Sequence, residues 1–180
     1  KWEGNDNTVT FDLNYDGSNG STATVKTGNT ITEPTAPTRT DYRFSGWYTD
    51  RACTRAWDFA ADTVPGDMTL YAKWVSTLAE YTVRHYQQNL DNDEYTEITA
   101  DCQTLNGTKG TQTAAAAKVY KGFEAKPFAQ QTIAEDGSTV ASIYYDRTRH
   151  TVTWLNWNGD ELGKNENVKY GAKPSFDQAN

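Results

Sequence analysis

Met68-Thr-Leu-Tyr-Ala-Lys-Trp74 is the stretch on which the reading of this 180-residue chain turns. It closes on Lys73-Trp74, and the chain opens on the same pair, Lys1-Trp2, at an offset of 72 residues. A fixed period is sought before any single element is assigned, because each unit of a repeat array is built and buried in the same way. A second recurrence lies at strand openings. Tyr81-Thr-Val-Arg-His85 returns 69 residues later as His150-Thr-Val-Thr-Trp154, and Val168-Lys-Tyr-Gly-Ala-Lys-Pro174 parallels Val25-Lys-Thr-Gly28 with Pro34. These offsets mark successive units of about 70 residues. Residues 1–7, opening on Lys1-Trp2, then read as the tail of a preceding copy, and the chain as a slice of a longer array.

Strand signals lie on both sides of that closing phrase. Thr8-Val-Thr-Phe-Asp-Leu-Asn-Tyr15 alternates with period 2, Asp16-Gly-Ser-Asn-Gly20 is a turn cluster, and Ala23 to Thr27 reads as a second strand. Pro34 and Pro37 frame an extended stretch that is neither helix nor central strand. Tyr42-Arg-Phe-Ser-Gly-Trp-Tyr48 is a further strand with Phe44 and Trp47 as core rings, and residues 50–59 have room for a short helical turn. Past a connector at residues 75–80, strands are predicted at Tyr81 to Tyr86, Tyr95 to Ala100 and Ser138 to Tyr145. Thr113-Ala-Ala-Ala-Ala-Lys-Val-Tyr120 is the best helix candidate, with Thr113 as its cap and Gly122 beyond its end.

Composition narrows the class. Aromatic residues make up 13% of a chain whose mean hydropathy is only −0.82, so thin cores held by a few large rings are expected rather than disorder. The net charge of −7, with no basic cluster, argues against nucleic acid. No window approaches the roughly 20 apolar residues of a membrane span. The two cysteines, Cys53 and Cys102, fall in different units and read as isolated thiols. The pattern predicts an α+β, strand-dominated chain, and by itself leaves a β-grasp unit and a small sandwich both open.

Val9-Thr-Phe-Asp12, Gly46-Trp-Tyr-Thr-Asp50, Trp57-Asp-Phe59 and Met68 to Trp74 are specific enough to carry a resemblance. Residues 8–74 resemble the Listeria–Bacteroides repeat, the B-repeat of internalin-type surface proteins. Residues 81–149 look like the mucin-binding-protein type of repeat, on Tyr81 to Tyr86, Lys121-Gly-Phe123, Asp136-Gly-Ser-Thr-Val140 and Ile143-Tyr-Tyr145. The Ala114–Ala117 run and the Gly107–Gly110 loop depart from that second pattern. Residues 150–180 resemble the first half of another B-repeat-like unit. The resemblance implies tandem small β-grasp (ubiquitin-like) units in an elongated array, within secreted, wall-attached proteins of the bacterial cell surface.

Chemistry-bearing patterns are few. Asp12-Leu-Asn-Tyr-Asp-Gly17 matches half of a calcium loop, but the bidentate Glu needed at the twelfth position is Ala23. The alternation places Asp12 and Asn14 on one strand face instead. Asn89 to Glu94 reads as a solvated turn. His85 and His150 occupy strand positions in corresponding places of two units, without partners at metal or catalytic spacing, which points to scaffold. No catalytic, cofactor or metal residues are therefore assigned. Trp47, Trp57, Phe59 and Trp74 are placed in the core. Trp154 and Trp157, three apart, point to opposite faces of a strand, and one of them is a candidate for exposure and ligand contact, or for an inter-unit contact.

The functional expectation is a non-enzymatic stalk or spacer that presents distal domains away from the wall, its partners being neighbouring repeats. The alternative is a module for host mucin glycans or a host surface protein, using an exposed aromatic or an open strand edge.

Overall fold

The computed structural model describes residues 4–176, and Lys1-Trp2, read above as the tail of a preceding copy, lies outside them. The chain divides into two compact units, residues 1–77 and 78–180. Among the described residues the regular structure is strand, apart from one 3-10 turn at Thr99–Asp101. The α component of the expected α+β class is thus corrected.

In the first unit, β1 (Asp6–Asp12) and β2 (Ser21–Lys26) form an antiparallel hairpin, and β3 (Tyr42–Tyr48) pairs antiparallel with β4 (Met68–Ser76). β4 lies parallel to β1, with Val9 opposite Met68 and Phe11 opposite Leu70, so the sheet order is β2-β1-β4-β3. Asp6 and Asn7, expected in a preceding tail, are already sheet residues. Val9, Phe11, Leu70 and Ala72 alternate onto one buried face, which Trp47, Trp57, Ile31 and Val64 complete. The stretches that cover this face, between β2 and β3 and between β3 and β4, run without helix. Residues 27–41 are held as open chain by Pro34 and Pro37 and are stitched at their start by Gly28 N–H to Val64 O and Val64 N–H to Asn29 O, both 2.9 Å. The helical turn expected within residues 50–59 is instead a loop at 50–53 and a single turn closed by Asp62 N–H to Asp58 O, 2.8 Å.

Phe44 and Trp47 are three apart, which in a regular strand separates their faces. A bulge at Ser45-Gly46 reunites them: Phe44 stands opposite Trp74 and Trp47 opposite Ala72, with Gly46 at φ +107°. Their ring centroids then lie 5.4 Å apart, and Trp47 also meets Phe11 edge-on at 4.9 Å.

The second unit repeats the plan. β5 (Leu78–Gln88) has two short antiparallel partners on one edge, β6 (Tyr95–Glu97) and β7 (Gln103–Thr108), separated by the 3-10 turn. On its other edge lies the parallel β9 (Val140–Arg147), flanked by β8 (Phe123–Ala125). The strand expected to run to Ala100 stops at Glu97, and β7 and β8, too short and polar for a clear pattern, escape the sequence reading.

Residues 113–120 are not a helix. They run extended, with Thr113 and Ala115 buried and Ala114 and Ala116 exposed. Side chains take the amides a helix would need. Ala114 N–H donates to the Tyr81 hydroxyl (3.1 Å), Ala115 N–H to Gln130 Oε1 (2.9 Å) and Lys118 N–H to the Tyr145 hydroxyl (2.8 Å). Alanine's helix propensity of a few tenths of a kcal/mol per residue is outweighed by these part-buried bonds at about 1 kcal/mol each.

The expected connector at 75–80 is strand at both ends, with only Thr77 between β4 and β5. Thr148 likewise stands alone between β9 and β10 (Arg149–Leu155), which pairs antiparallel with β11 (Glu161–Lys169). Both threonines are held alike, within their own units. Thr77 N–H donates to Asp41 O at 2.8 Å and Thr148 N–H to Gly122 O at 2.9 Å, and both acceptors adopt positive φ (+63° and +78°) just before an edge strand. At the second joint Tyr170 packs flat on Gly122, and its N–H donates to Thr148 O at 2.8 Å. A Cβ on Gly122 would come within 2.0–2.3 Å of three Tyr170 ring carbons, at a backbone angle that L side chains avoid. Gly122→Ala is therefore expected to cost about 1–3 kcal/mol and to loosen the β10–β11 hairpin first. Hydrogen exchange would read this as faster exchange at Tyr170 while the β5–β9 amides hold.

Candidate functional site

Two polar clusters stand out, one in each unit. In the first, the hairpin tip is tied to the closing strand. Asn14 sits at φ +61°, just beyond β1, so it does not share a strand face with Asp12 as expected. Its side-chain amide donates to Ala72 O and Arg51 O, both at 3.1 Å. Asp12 accepts the Asn14 N–H at 2.7 Å and pairs with Arg51 at 3.0 Å. The half calcium motif is thus spent on stitching the turn. Asn14→Ala removes both carbonyl contacts and leaves a residue without a local polar group at positive φ. A loss of about 1–3 kcal/mol is expected, read as a lower urea midpoint for the first unit.

Beside that tip, the Arg39 guanidinium lies 3.8 Å from the Tyr42 ring centroid and 4.5 Å from that of Tyr15. Tyr15 meets Trp74 edge-on at 6.0 Å, and Trp74 Nε1 donates to Leu13 O at 2.7 Å. Trp74, the last residue of the repeated phrase, is therefore the clasp that fastens the closing strand to the hairpin tip. Cys53 lies in the same corner, and burial pushes its thiol above the ordinary range, away from thiolate chemistry. Both Cys53 and Cys102 are free thiols.

In the second unit, His85 is fully buried on β5. Its Nδ1 lies 2.8 Å from the Tyr145 hydroxyl, which already accepts the Lys118 N–H. The Tyr145 proton is left with Nδ1 as its acceptor, so the ring carries its own proton on Nε2, which has no partner. Desolvation holds His85 below the ordinary imidazole range, with the Lys118 ammonium adding to it and Asp101 opposing. Asp101 accepts from Lys118 Nζ (2.7 Å) and from the Tyr120 hydroxyl (2.6 Å), which keep its carboxyl low. Burial and Asp101 push the Tyr120 phenol up. Apart from His85 Nε2 these groups satisfy one another, and the arrangement reads as a polar seam of a core.

His150, by contrast, is exposed on β10 and shares a 2.9 Å hydrogen bond with Thr148. The two histidines are not in corresponding places. By strand position His85 matches Phe11 and Trp154, whereas His150 matches Asn7 and Tyr81. Of the two tryptophan candidates, Trp154 is half-buried on β10, donates Nε1–H to Asn165 Oδ1 at 2.6 Å and packs on Phe176 at 5.7 Å. Trp157 is 96% exposed. It lies in the turn after β10 rather than on a strand, so the opposite-face argument does not apply to it. Turn 89–94 closes on itself through Asn92, and Lys169 caps it by donating to Asn92 O and pairing with Asp93. Among the described residues no three His, Cys, Asp or Glu side chains converge on a metal geometry, and no helix is long and apolar enough to cross a membrane.

Known proteins share parts of this chain. Over 74 residues the chain is 53% identical to a protein of Evansella cellulosilytica named as a Gly-rich membrane protein, covering 41% of this chain and 8% of that one. A second protein of that organism, named as a membrane protein, is 41% identical over 95 residues, 53% of this chain and 13% of that one. Internalin H of Listeria monocytogenes serovar 1/2a is 40% identical over 87 residues, 48% of this chain and 14% of that one. The matched stretches thus span from 8% to 14% of these curated relatives. The Listeria-Bacteroides repeat domain model matches residues 8–73, which run from β1 to the Lys-Trp clasp, and this first unit is a Listeria-Bacteroides repeat domain.

Proposed function

We propose that the chain is a non-enzymatic stalk or spacer segment of a bacterial cell-surface protein, built from tandem β-grasp-type units that hold distal domains away from the wall. The observation that carries this reading is the recurrence of one strand plan and one joint: opening hairpin, edge strand, parallel closing strand, then a single threonine bonded to a positive-φ carbonyl. A one-residue joint shortens the slack that would let units tumble freely, and neighbour-only contact is how repeat arrays gain length. The relative named Internalin H and the repeat domain at residues 8–73 support the setting. The resemblance of residues 81–149 to mucin-binding repeats enters as scaffold, in a helix-free variant of the plan. Small-angle scattering of the chain is expected to give the skewed distance distribution of a rod. A symmetric, globular distribution would overturn the stalk.

The exposure of Trp157 favours a second reading, an adhesive module for host mucin glycans or a host surface protein. A mucin and glycan panel, run beside Trp157→Ala, separates the two. Saturable binding that the variant abolishes establishes the adhesin reading, and no binding at high micromolar concentration leaves the stalk.

A further inference from the structure

Trp47 and Trp57 are 2% and 9% exposed, and neither indole N–H has a partner among the described residues. An indole nitrogen only donates, so nothing but an acceptor can satisfy it. Native chains rarely keep a buried donor unpaired, because the lost hydration is not repaid. The half-buried Trp74 and Trp154 follow the rule, donating to Leu13 O and Asn165 Oδ1. The two exceptions are neighbours: Trp57 N–H donates to Trp47 O at 2.8 Å along β3, the last strand of its sheet.

Both indoles line one open cleft of about 460 Å³, within the ordinary size of small-ligand sites. Gly46, in the β3 bulge, leaves part of its lining bare. Beyond its chain neighbours, a Cβ there would meet only a Tyr48 ring carbon, at 3.9 Å. The half-buried Phe59 adds an aromatic wall, and the exposed Glu33 and Asp58 add two carboxylates. Asp58 is held in place by the Ala60 N–H, 2.9 Å from its Oδ1.

Two unused donors, two carboxylate acceptors and aromatic rings together match a sugar, which offers oxygens, hydroxyls and flat C–H faces. The carboxylates repel an anion, so the ligand is uncharged. An acetamido group suits the donors and the rings at once, through its carbonyl oxygen and its methyl. We propose that this cleft in the first unit binds a neutral N-acetylhexosamine glycan, whose oxygens accept from the Trp47 and Trp57 indoles. Both Nε1 atoms are covered in the free chain, so binding includes a side-chain shift that uncovers them. The inference rests on the adhesive reading for its ligand class, but seats the sugar in the first unit instead of on Trp157.

The test titrates the whole 180-residue chain, isotope-labelled at its tryptophan indoles, and follows their N–H resonances. The probes are N,N′-diacetylchitobiose, a wall-type sugar, and methyl α-N-acetylgalactosaminide, a mucin-type one, and the tighter of the two names the source. Saturable shifts at Trp47 and Trp57 are expected, with Trp74 and Trp154 fixed. Ala56→Leu crowds the lining from an exposed position. It is expected to weaken binding about tenfold at an unchanged urea midpoint, and Trp57→Phe, which keeps a ring but removes one donor, to do likewise. N-acetylneuraminic acid carries the same acetamido group with an added carboxylate. It is expected to bind about tenfold more weakly, and Glu33→Gln to narrow that gap. Shifts confined to Trp157 overturn the cleft site and keep the adhesive reading. Shifts at Trp47 and Trp57 that Ala56→Leu leaves unchanged overturn it too. The cleft site also falls if no indole shifts, whereas the adhesive reading then stands or falls on the mucin panel.

Discussion

Trp47→Ala is expected to unfold the first unit or bring it to the brink. The indole is 2% exposed and stands where three elements meet: edge-on to Phe11 of β1 and to Phe44 of its own strand, and in the cluster that includes Leu70 and Ala72 of β4. Removing a buried tryptophan costs about 3–5 kcal/mol, since the thin core around it has little to collapse into the cavity. Small domains hold about 5–15 kcal/mol in all. The second unit shares no core residue with this cluster, so its transition is expected to stay put. Exchange measured unit by unit in urea checks this, and a first unit with an unchanged midpoint would refute the assignment of Trp47 as keystone. Trp47→Phe is expected to cost clearly less. It keeps ring contact and also removes the indole N–H, which is buried without a partner and carries a penalty of about 1–3 kcal/mol.

The second large effect is a pH dependence seated in the second unit. His85 binds a proton less readily when folded than when unfolded, because burial and Lys118 oppose its charge. The unfolded state therefore takes up more protons, and stability falls as pH drops below the ordinary imidazole value of 6.5 and through the lower folded one. The groups facing His85 set separate windows. Asp101, held low by Lys118 and Tyr120, gives stability that is lost only on approach to and below its ordinary 3.8. The raised Tyr120 and Tyr145 phenols are neutral throughout. Urea midpoints of the second unit are expected to decline from about pH 8 to about pH 5, and His85→Phe to flatten that decline. Phenylalanine is what the first unit carries at the matching position, Phe11, so the site accepts such a ring. A wild-type midpoint flat across this range would remove His85 as the source.

The repeat was legible because it is written in residues that must do the same job each time. Trp74 of the closing Lys-Trp clasps the hairpin tip, and Val9 and Val83 of the Thr-Val openings face inward beside their closing strands. The helix expected at residues 113–120 shows the opposite case. Four alanines state a local preference, but the acceptors that overrule it, the hydroxyls of Tyr81 and Tyr145 and the amide of Gln130, come from distant strands and loops. The expected shared strand face of Asp12 and Asn14 fails for a similar reason: Arg51 and Ala72, which take up their side chains, are far away in the chain.

The sequence by itself determined the period, the strand-dominated class, the aromatic core of the first unit and the membership of residues 8–73 in their repeat family. All of these reside in local alternation and in recurring residues. Only the tertiary structure decided that β4 and β9 lie parallel to the opening strands, that a bulge brings Phe44 and Trp47 to one face, that His85 is buried while His150 is not, and that β10 pairs with β11 alone among the described residues. Strand partnership and burial are set by which distant segments meet. A chain with period-2 alternation satisfies that pattern equally well with several partners, until close packing of large rings and pairing of the backbone N–H groups select one.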